Sequence, residues 1–66
     1  MKNQLKVERA RHNLTQQDLA DAVEVSRQTI HAIETGKFVP STVLALKLAR
    51  RFAIRVEELF ALEEGD

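Results

Sequence analysis

Side chains that could hydrogen-bond to nucleic acid are concentrated in one short stretch of the sequence. The stretch contains Arg27, Gln28, Thr29 and His31, and no Asp or Glu occurs in it before Glu34. In the major groove of DNA, arginine can pair with guanine and glutamine with adenine through two hydrogen bonds each. These residue types therefore indicate a helix whose first turns could meet base edges.

Catalysis and metal binding have little support in the same sequence. There is no cysteine, and His12 and His31 do not have the spacing of four residues that places two zinc-binding histidines on one helix face. No nucleophile, base and orienting group can be named together, and a short helical chain offers little concave volume for a substrate. We therefore predict no enzyme activity, no catalytic residue, no metal and no cofactor.

The formal charge of zero conceals an uneven distribution along the chain. Residues 1–55 contain all ten Lys and Arg and only five Asp and Glu, whereas residues 56–66 contain five acids and no base. The first segment is therefore +5 and the last −5. Such asymmetry is typical of polyanion-binding proteins, and we expect the acidic tail, residues 61–66, to point away from the polyanion.

The 66 residues are enough for one domain, residues 1–66, which at this size is only marginally stable. Without disulfides, stability must come from helix packing or from oligomerisation, so a homodimer is expected. The longest apolar run, Val43-Leu44-Ala45-Leu46, is far below the roughly 20 residues of a membrane span. The first residues also lack the apolar core of a signal peptide. We expect a cytoplasmic protein without membrane contact.

Residue propensities favour an all-α fold, because helix-forming residues dominate and Gly and Pro are few. Thr15, Ser26 and Ser41 are suitable N-caps, and Gly36 and Pro40 indicate a loop at residues 36–40. Five helices are predicted, at residues 3–12, 16–23, 27–35, 42–52 and 56–61.

Apolar residues recur at helical spacing along four of these helices and predict the core. The predicted core positions are Leu19, Ala20, Val23, Val25, Ile30, Ile33, Leu44, Ala45, Leu48, Ala49, Phe52, Val56, Leu59 and Phe60. Phe38 is also predicted to pack rather than to face solvent.

The second and third predicted helices are joined by only Glu24-Val25-Ser26, which forces a sharp angle between them. Ala20 is small where the two helices would cross, and Ile30 and Ile33 would close the core beneath the turn. This pattern, over about residues 16–35, is a helix-turn-helix.

The ordered set of motifs resembles the Cro/C1-type (XRE) helix-turn-helix transcriptional regulators, specifically their short single-domain members. The resemblance implies a compact five-helix bundle of the lambda-repressor-like DNA-binding type. The motifs that carry it are Leu14-Thr15-Gln16-Gln17-Asp18-Leu19-Ala20, Val25-Ser26-Arg27-Gln28-Thr29-Ile30, Ile33-Glu34-Thr35-Gly36-Lys37, Pro40-Ser41, Leu44-Ala45-Leu46-Lys47-Leu48-Ala49 and Val56-Glu57-Glu58-Leu59-Phe60.

The resemblance also implies roles for individual residues. Gln16 would reach a phosphate and brace the third helix, and Thr35 and Lys37 would contact the DNA backbone. Arg9 and Glu34 would form a buried structural salt bridge. The DNA-binding set implied as a whole is Gln16, Gln17, Arg27, Gln28, Thr29, His31, Ala32, Thr35 and Lys37.

Three positions depart from the family pattern. Glu24 and Asn13 stand where glycine is common, and Glu8 stands where the first helix usually has an apolar residue. A non-glycine residue in the left-handed conformation costs roughly 1–2 kcal/mol, so the turn at Glu24 either bears that cost or adjusts. Asn13 tolerates positive φ more easily.

The function implied is a sequence-specific regulator, expected to be a repressor, that binds a pseudo-palindromic operator in double-stranded DNA as a homodimer. Leu59, Phe60 and Leu62 are expected to form part of the dimer seam. The alternative is an antitoxin or adaptor whose main partner is a protein and whose DNA binding is autoregulatory.

Overall fold

The computed structural model describes residues 1–66, which form five helices and one pair of very short strands. The elements are β1 (Lys2–Asn3), α1 (Leu5–Arg11), α2 (Gln16–Val23), α3 (Arg27–Glu34), α4 (Thr42–Phe52), α5 (Val56–Leu59) and β2 (Phe60–Ala61). The predicted all-α fold with five helices is thus confirmed. None of the helices has both the length and the apolar character needed to cross a bilayer.

The β1–β2 pair was not predicted, and it shortens the first and last helices. The strands are antiparallel, with Lys2 opposite Ala61 and Asn3 opposite Phe60. Predicted helix 3–12 therefore begins at Leu5, where the backbone N–H bonds to Asn3 Oδ1 at 3.1 Å, and ends at Arg11. Predicted helix 56–61 ends at Leu59. The pairing joins the two ends of the described chain, and local propensity carries no signal for it.

Three helices begin at the predicted N-caps. The Asp18 N–H donates to Thr15 Oγ1 at 3.0 Å, and Ser26 and Ser41 accept from the third helical residue at 3.2 Å each. At α2 the Thr15 N–H also donates back to the Asp18 carboxylate, and this bond lowers the pKa of Asp18. These side chains satisfy N–H groups that have no acceptor inside the helix.

The turn between α2 and α3 keeps the left-handed geometry in spite of its glutamate. Glu24 has φ +62° and ψ +44°, and the next residue, Val25, donates its N–H to Ala20 O at 3.0 Å. Asn13 has φ +55°, and Ala53, after α4, has φ +56°. The chain therefore accepts the strain of a left-handed non-glycine residue at the turn that sets the angle between α2 and α3.

A single hydrophobic core of twelve residues joins all five helices. Its members are Leu5, Leu19, Ala20, Val23, Ile30, Ile33, Leu44, Leu48, Ala49, Phe52, Leu59 and Phe60. Val25, Ala45 and Val56 are partly buried against it. The prediction for Phe38 is wrong: its side chain is 48% exposed. The loop after α3 is fixed by its backbone, since the N–H groups of Lys37 and Phe38 both donate to Ala32 O, and the ring faces out.

Helix α1 buries a carboxylate in place of the usual apolar side chain. Glu8 is 7% exposed, and its Oε1 accepts from Arg11 Nη1 at 2.8 Å. The other carboxylate oxygen lies 3.9 Å from His12 Nε2, and the His12 ring lies 5.1 Å from the ring of Phe52. The buried carboxylate of Glu8 is thus paired with Arg11, while Leu5 is the core residue that α1 contributes.

Candidate nucleic-acid interface

Helix α3 has an apolar side and a hydrogen-bonding side. Ile30 and Ile33 are buried, and α3 packs mainly against α2. The exposed side chains at the corresponding outward positions are Arg27, Gln28, His31 and Thr35, with Thr29 and Ala32 half-buried between the two sides. The structure therefore brings four of the predicted DNA-binding residues onto one surface, which we call the α3 face.

The single acid of α3 is turned away from that face and neutralised. Glu34 accepts from Arg9 Nε at 2.8 Å and from Nη2 at 3.3 Å, and its side chain is only 5% exposed. Arg9 also donates from Nη1 to Leu14 O at 2.9 Å. The pair is thus a bidentate, part-buried salt bridge, the kind with well-defined geometry. It links α1 to α3 and leaves no unpaired acid on α3.

Gln16, the first residue of α2, attaches to the same pair. Its Nε2 lies 3.1 Å from Glu34 Oε1 and 3.2 Å from His31 Nδ1. Both amide hydrogens are therefore directed at partners on α3, so a phosphate contact through this amide would require Gln16 to release one of them. The bracing contact between the two helices is present, and sequence reasoning did not foresee that His31 takes part in it.

Two of the remaining predicted residues use their side chains locally. Gln17 Nε2 donates to Asp21 Oδ1 at 2.8 Å on its own helix. Thr29 Oγ1 lies 2.9 Å from Ser26 Oγ, inside the N-cap of α3. Both groups are near the α3 face but are less free to bind a ligand than Arg27 or Gln28.

The C-terminal end of α3 continues the face into the following loop. Thr35 Oγ1 donates to the carbonyls of His31 and Ala32 at 3.0 and 3.3 Å. Lys37 is exposed, and its N–H donates to Ala32 O at 2.9 Å. The Lys37 ammonium is thus carried by a loop whose backbone is fixed.

Acids of the C-terminal tail lie against the amino-terminal group. The Met1 ammonium is 3.0 Å from Glu63 Oε1 and 3.2 Å from Asp66 Oδ2. The side chain of Glu63, then that of Asp66, raises the pKa of this ammonium. The Glu63 backbone N–H, then the ammonium, lowers the pKa of Asp66.

The predicted dimer seam is wrong for Leu59, which is 1% exposed in the core of the same chain. Phe60 is also buried in this core, at 9% exposed, but it lies at the edge of a surface groove, and only Leu62 of the predicted seam is fully at the surface. The exposed large apolar side chains instead include Val39, Val43 and Leu46.

Val39 and Leu46 line a shallow groove of about 260 Å³, and Val43 lies one turn from Leu46 on α4. We call Val39, Val43 and Leu46 the α4 apolar surface. The sequence carried a signal for it, because the unbroken run Val43-Leu44-Ala45-Leu46 spans more of a helix than one buried side can cover.

Comparison with known proteins agrees with this architecture. The helix-turn-helix family matches residues 5–59 of the chain. An uncharacterised HTH-type transcriptional regulator of Methanocaldococcus jannaschii is 54% identical over 66 residues, which is 100% of both chains. YgzD of Bacillus subtilis, also an uncharacterised HTH-type transcriptional regulator, is 48% identical over 64 residues, with 97% of each chain covered.

A solved structure gives the same result for the fold. The restriction-modification controller protein C.AhdI from Aeromonas hydrophila superposes with a TM-score of 0.79 and is 33% identical, with 86% of each chain covered. The likeness therefore covers most of the bundle.

Proposed function

The chain belongs to the Cro/C1-type (XRE) helix-turn-helix family of transcriptional regulators, and from that premise we propose that it is a repressor that binds a pseudo-palindromic operator as a homodimer. The observation that carries the proposal is the composition of the α3 face. It presents Arg27, Gln28 and His31 outward, while the one acid of the helix is paired with Arg9.

In this proposal the N-terminal half of α3 reads bases in the major groove. Arg27 and Gln28 stand at the start of the helix, which is the part that meets base edges in helix-turn-helix proteins. Arginine matches the two acceptors of guanine, and glutamine matches the acceptor and donor of adenine. His31, one turn further along the helix, adds an imidazole group to the α3 face.

The backbone contacts are assigned to residues at the ends of the reading helix. Lys37 and Thr35 follow α3, and the exposed Lys37 ammonium suits a phosphate oxygen. Gln16 acts chiefly as a brace, given its contacts with Glu34 and His31. Gln17, Thr29 and Ala32 have supporting positions beside the face.

The proposed second copy docks on the α4 apolar surface. Val43 and Leu46 are 64% and 55% exposed on one side of α4, and exposed apolar clusters of this kind are unfavourable in water unless a partner covers them. A two-fold dimer would place the same surface of each copy against the other. Two α3 helices would then enter successive major grooves about 34 Å apart. Occupation of a promoter by this dimer would exclude other proteins from the same DNA, which is the basis for proposing repression.

Selection from a random pool of double-stranded DNA tests the proposal. The expected result is enrichment of one inverted repeat whose half-sites are about one helical turn apart, with affinity that falls steeply as salt rises. A double variant, Arg27→Ala with Gln28→Ala, is the control and should enrich no such repeat. If the unchanged protein enriches no sequence, the DNA proposal is wrong and the adaptor alternative takes its place.

A further inference from the structure

A chain of hydrogen bonds runs from the inside of the protein to the centre of the α3 face. It begins at the Arg9 guanidinium, passes through the Glu34 carboxylate and the Gln16 amide, and ends at the His31 ring. Glu34 is nearly fully buried, whereas His31 is exposed between Arg27 and Thr35. The outer member of the chain is therefore a residue in the proposed base-reading position.

The carboxylate of Glu34 determines which end of the Gln16 amide faces it. An ionised carboxylate only accepts hydrogen bonds, and both of its oxygens already face Arg9. The Gln16 atom at 3.1 Å from Glu34 Oε1 must therefore be the NH2 group, since a carbonyl oxygen there would oppose the negative charge. The orientation of the Gln16 amide is therefore set by the negative charge of the carboxylate that it faces.

The amide in turn determines the proton position on His31. The same Gln16 nitrogen lies 3.2 Å from His31 Nδ1, and an amide nitrogen donates but does not accept. Nδ1 must then be the acceptor and carry no hydrogen. In the neutral imidazole the proton is consequently on Nε2, the ring nitrogen that Gln16 does not contact.

We propose that Gln16 is a positioning residue that fixes His31 in the Nε2–H tautomer, so that His31 selects a base that offers an acceptor. In the major groove, guanine offers only acceptors and thymine offers O4, whereas cytosine offers only its amino donor. His31 then favours guanine or thymine over cytosine at the base it meets. This inference rests on the proposed DNA-reading function of α3.

The tautomer is measured first, in the free protein, by long-range ¹H–¹⁵N NMR of the histidine rings at about pH 8, above the range in which histidine titrates. His31 should show one protonated nitrogen, Nε2. His12, whose ring lies near the Glu8 carboxylate and the Phe52 ring, is the internal comparison. A spectrum with the His31 proton on Nδ1, or a mixture of both tautomers, would overturn the inference whatever the DNA experiments give.

The second measurement uses Gln16→Met, which keeps the length of the side chain and removes the amide. Gln4→Met is the matched control, because Gln4 is an exposed glutamine that lies outside the proposed DNA-binding set. The position read by His31 is first identified as the one whose base preference disappears in His31→Ala. At that position, Gln16→Met should reduce the preference for guanine or thymine over cytosine by about fivefold, which is the effect of one hydrogen bond. In the NMR spectrum of the Gln16→Met protein, His31 should show both tautomers. Gln4→Met should change neither the base preference nor the His31 spectrum.

The two measurements separate this inference from the function on which it rests. If selection enriches no operator while the free protein shows the Nε2–H tautomer, the proposed function fails and the positioning role of Gln16 stands. If an operator is enriched but Gln16→Met, shown to be folded by thermal unfolding, leaves base preference and tautomer unchanged, the positioning role is refuted. If Gln16→Met does not fold, the NMR spectrum of the unchanged protein still tests whether the His31 proton is on Nε2.

Discussion

Helices α3 and α4 both begin after a serine whose Oγ accepts the N–H of the third helical residue at 3.2 Å. Both also bury apolar side chains at helical spacing, Ile30 and Ile33 on α3 and Leu44 and Leu48 on α4. Their outward sides differ. The α3 face offers guanidinium, amide and imidazole groups, whereas α4 exposes Val43 and Leu46 beside cationic residues.

The inward sides of these helices explain why they fold, and the outward sides indicate what they bind. Burial of a few aliphatic side chains stabilises both helices by the same hydrophobic mechanism, and similar caps satisfy both first turns. Nothing in that stabilisation requires the outward residues. Those residues are therefore free to match different partners, which we propose to be a DNA groove for α3 and a second copy for α4.

The largest expected effect comes from a charge placed on the α4 apolar surface. Leu46→Glu should convert the proposed dimer to a monomer and reduce affinity for the proposed full operator by about 100-fold, because the two half-sites no longer bind together. Affinity for an isolated half-site should stay unchanged. Sedimentation and DNA titration check this, with Val7→Glu, an exposed apolar residue on α1, as the control. A Leu46→Glu protein that stays dimeric would contradict the assignment of the seam.

The next effect concerns base reading by α3. Gln28→Ala should relax the preference at one base position by about 1–3 kcal/mol and leave the other positions unchanged. Binding to a set of single-base operator variants measures it, and Arg50→Ala on α4 should leave every preference intact. A uniform loss across all sequences would show that Gln28 is not a base reader.

The two serine caps should have similar effects on stability, because each accepts a first-turn N–H at 3.2 Å. Ser26→Ala and Ser41→Ala should each lower the free energy of unfolding by about 1 kcal/mol, since each leaves a first-turn N–H without its acceptor. Urea unfolding measures both. If only one of the two substitutions destabilises the protein, the likeness between α3 and α4 does not extend to their caps.

The smallest effect is the loss of one phosphate contact. Lys37→Ala should reduce the slope of log affinity against log salt by about one unit, because one fewer counterion is released. Lys47→Ala is the matched control on α4, where the ammonium lies 3.9 Å from Glu24, and its slope should equal that of the unchanged protein. An unchanged slope for Lys37→Ala would remove Lys37 from the backbone contacts.

N-cap residues and helical spacing are enough to predict most of the helices. Thr15, Ser26 and Ser41 cap helices where predicted, and the bounds of α2 and α4 agree with the prediction. Glu24 shows the limit of such reasoning. Its residue type argues against the left-handed turn, yet the packing of α2 against α3 imposes that conformation.

The sequence predicts which residues belong to the candidate site, but it does not predict which of them contact one another. Arg27, Gln28 and His31 could be placed on one exposed face from their spacing. The contact between Gln16 and His31 joins residues fifteen positions apart on different helices, and no periodicity relates them. Likewise, Phe38 and Leu59 are both large and apolar, but only the fold decides that one is exposed and the other buried.

Residue types and their order along the chain were enough to predict most of the helices, three of their caps, the helix-turn-helix and the family. The β1–β2 pair, the burial of Leu59 and the hydrogen bonds that end at His31 emerge only in the folded chain. These features join residues that are far apart along the chain. Hydrogen bonds and burial between remote segments depend on how the helices pack, and that packing is a property of all the elements together.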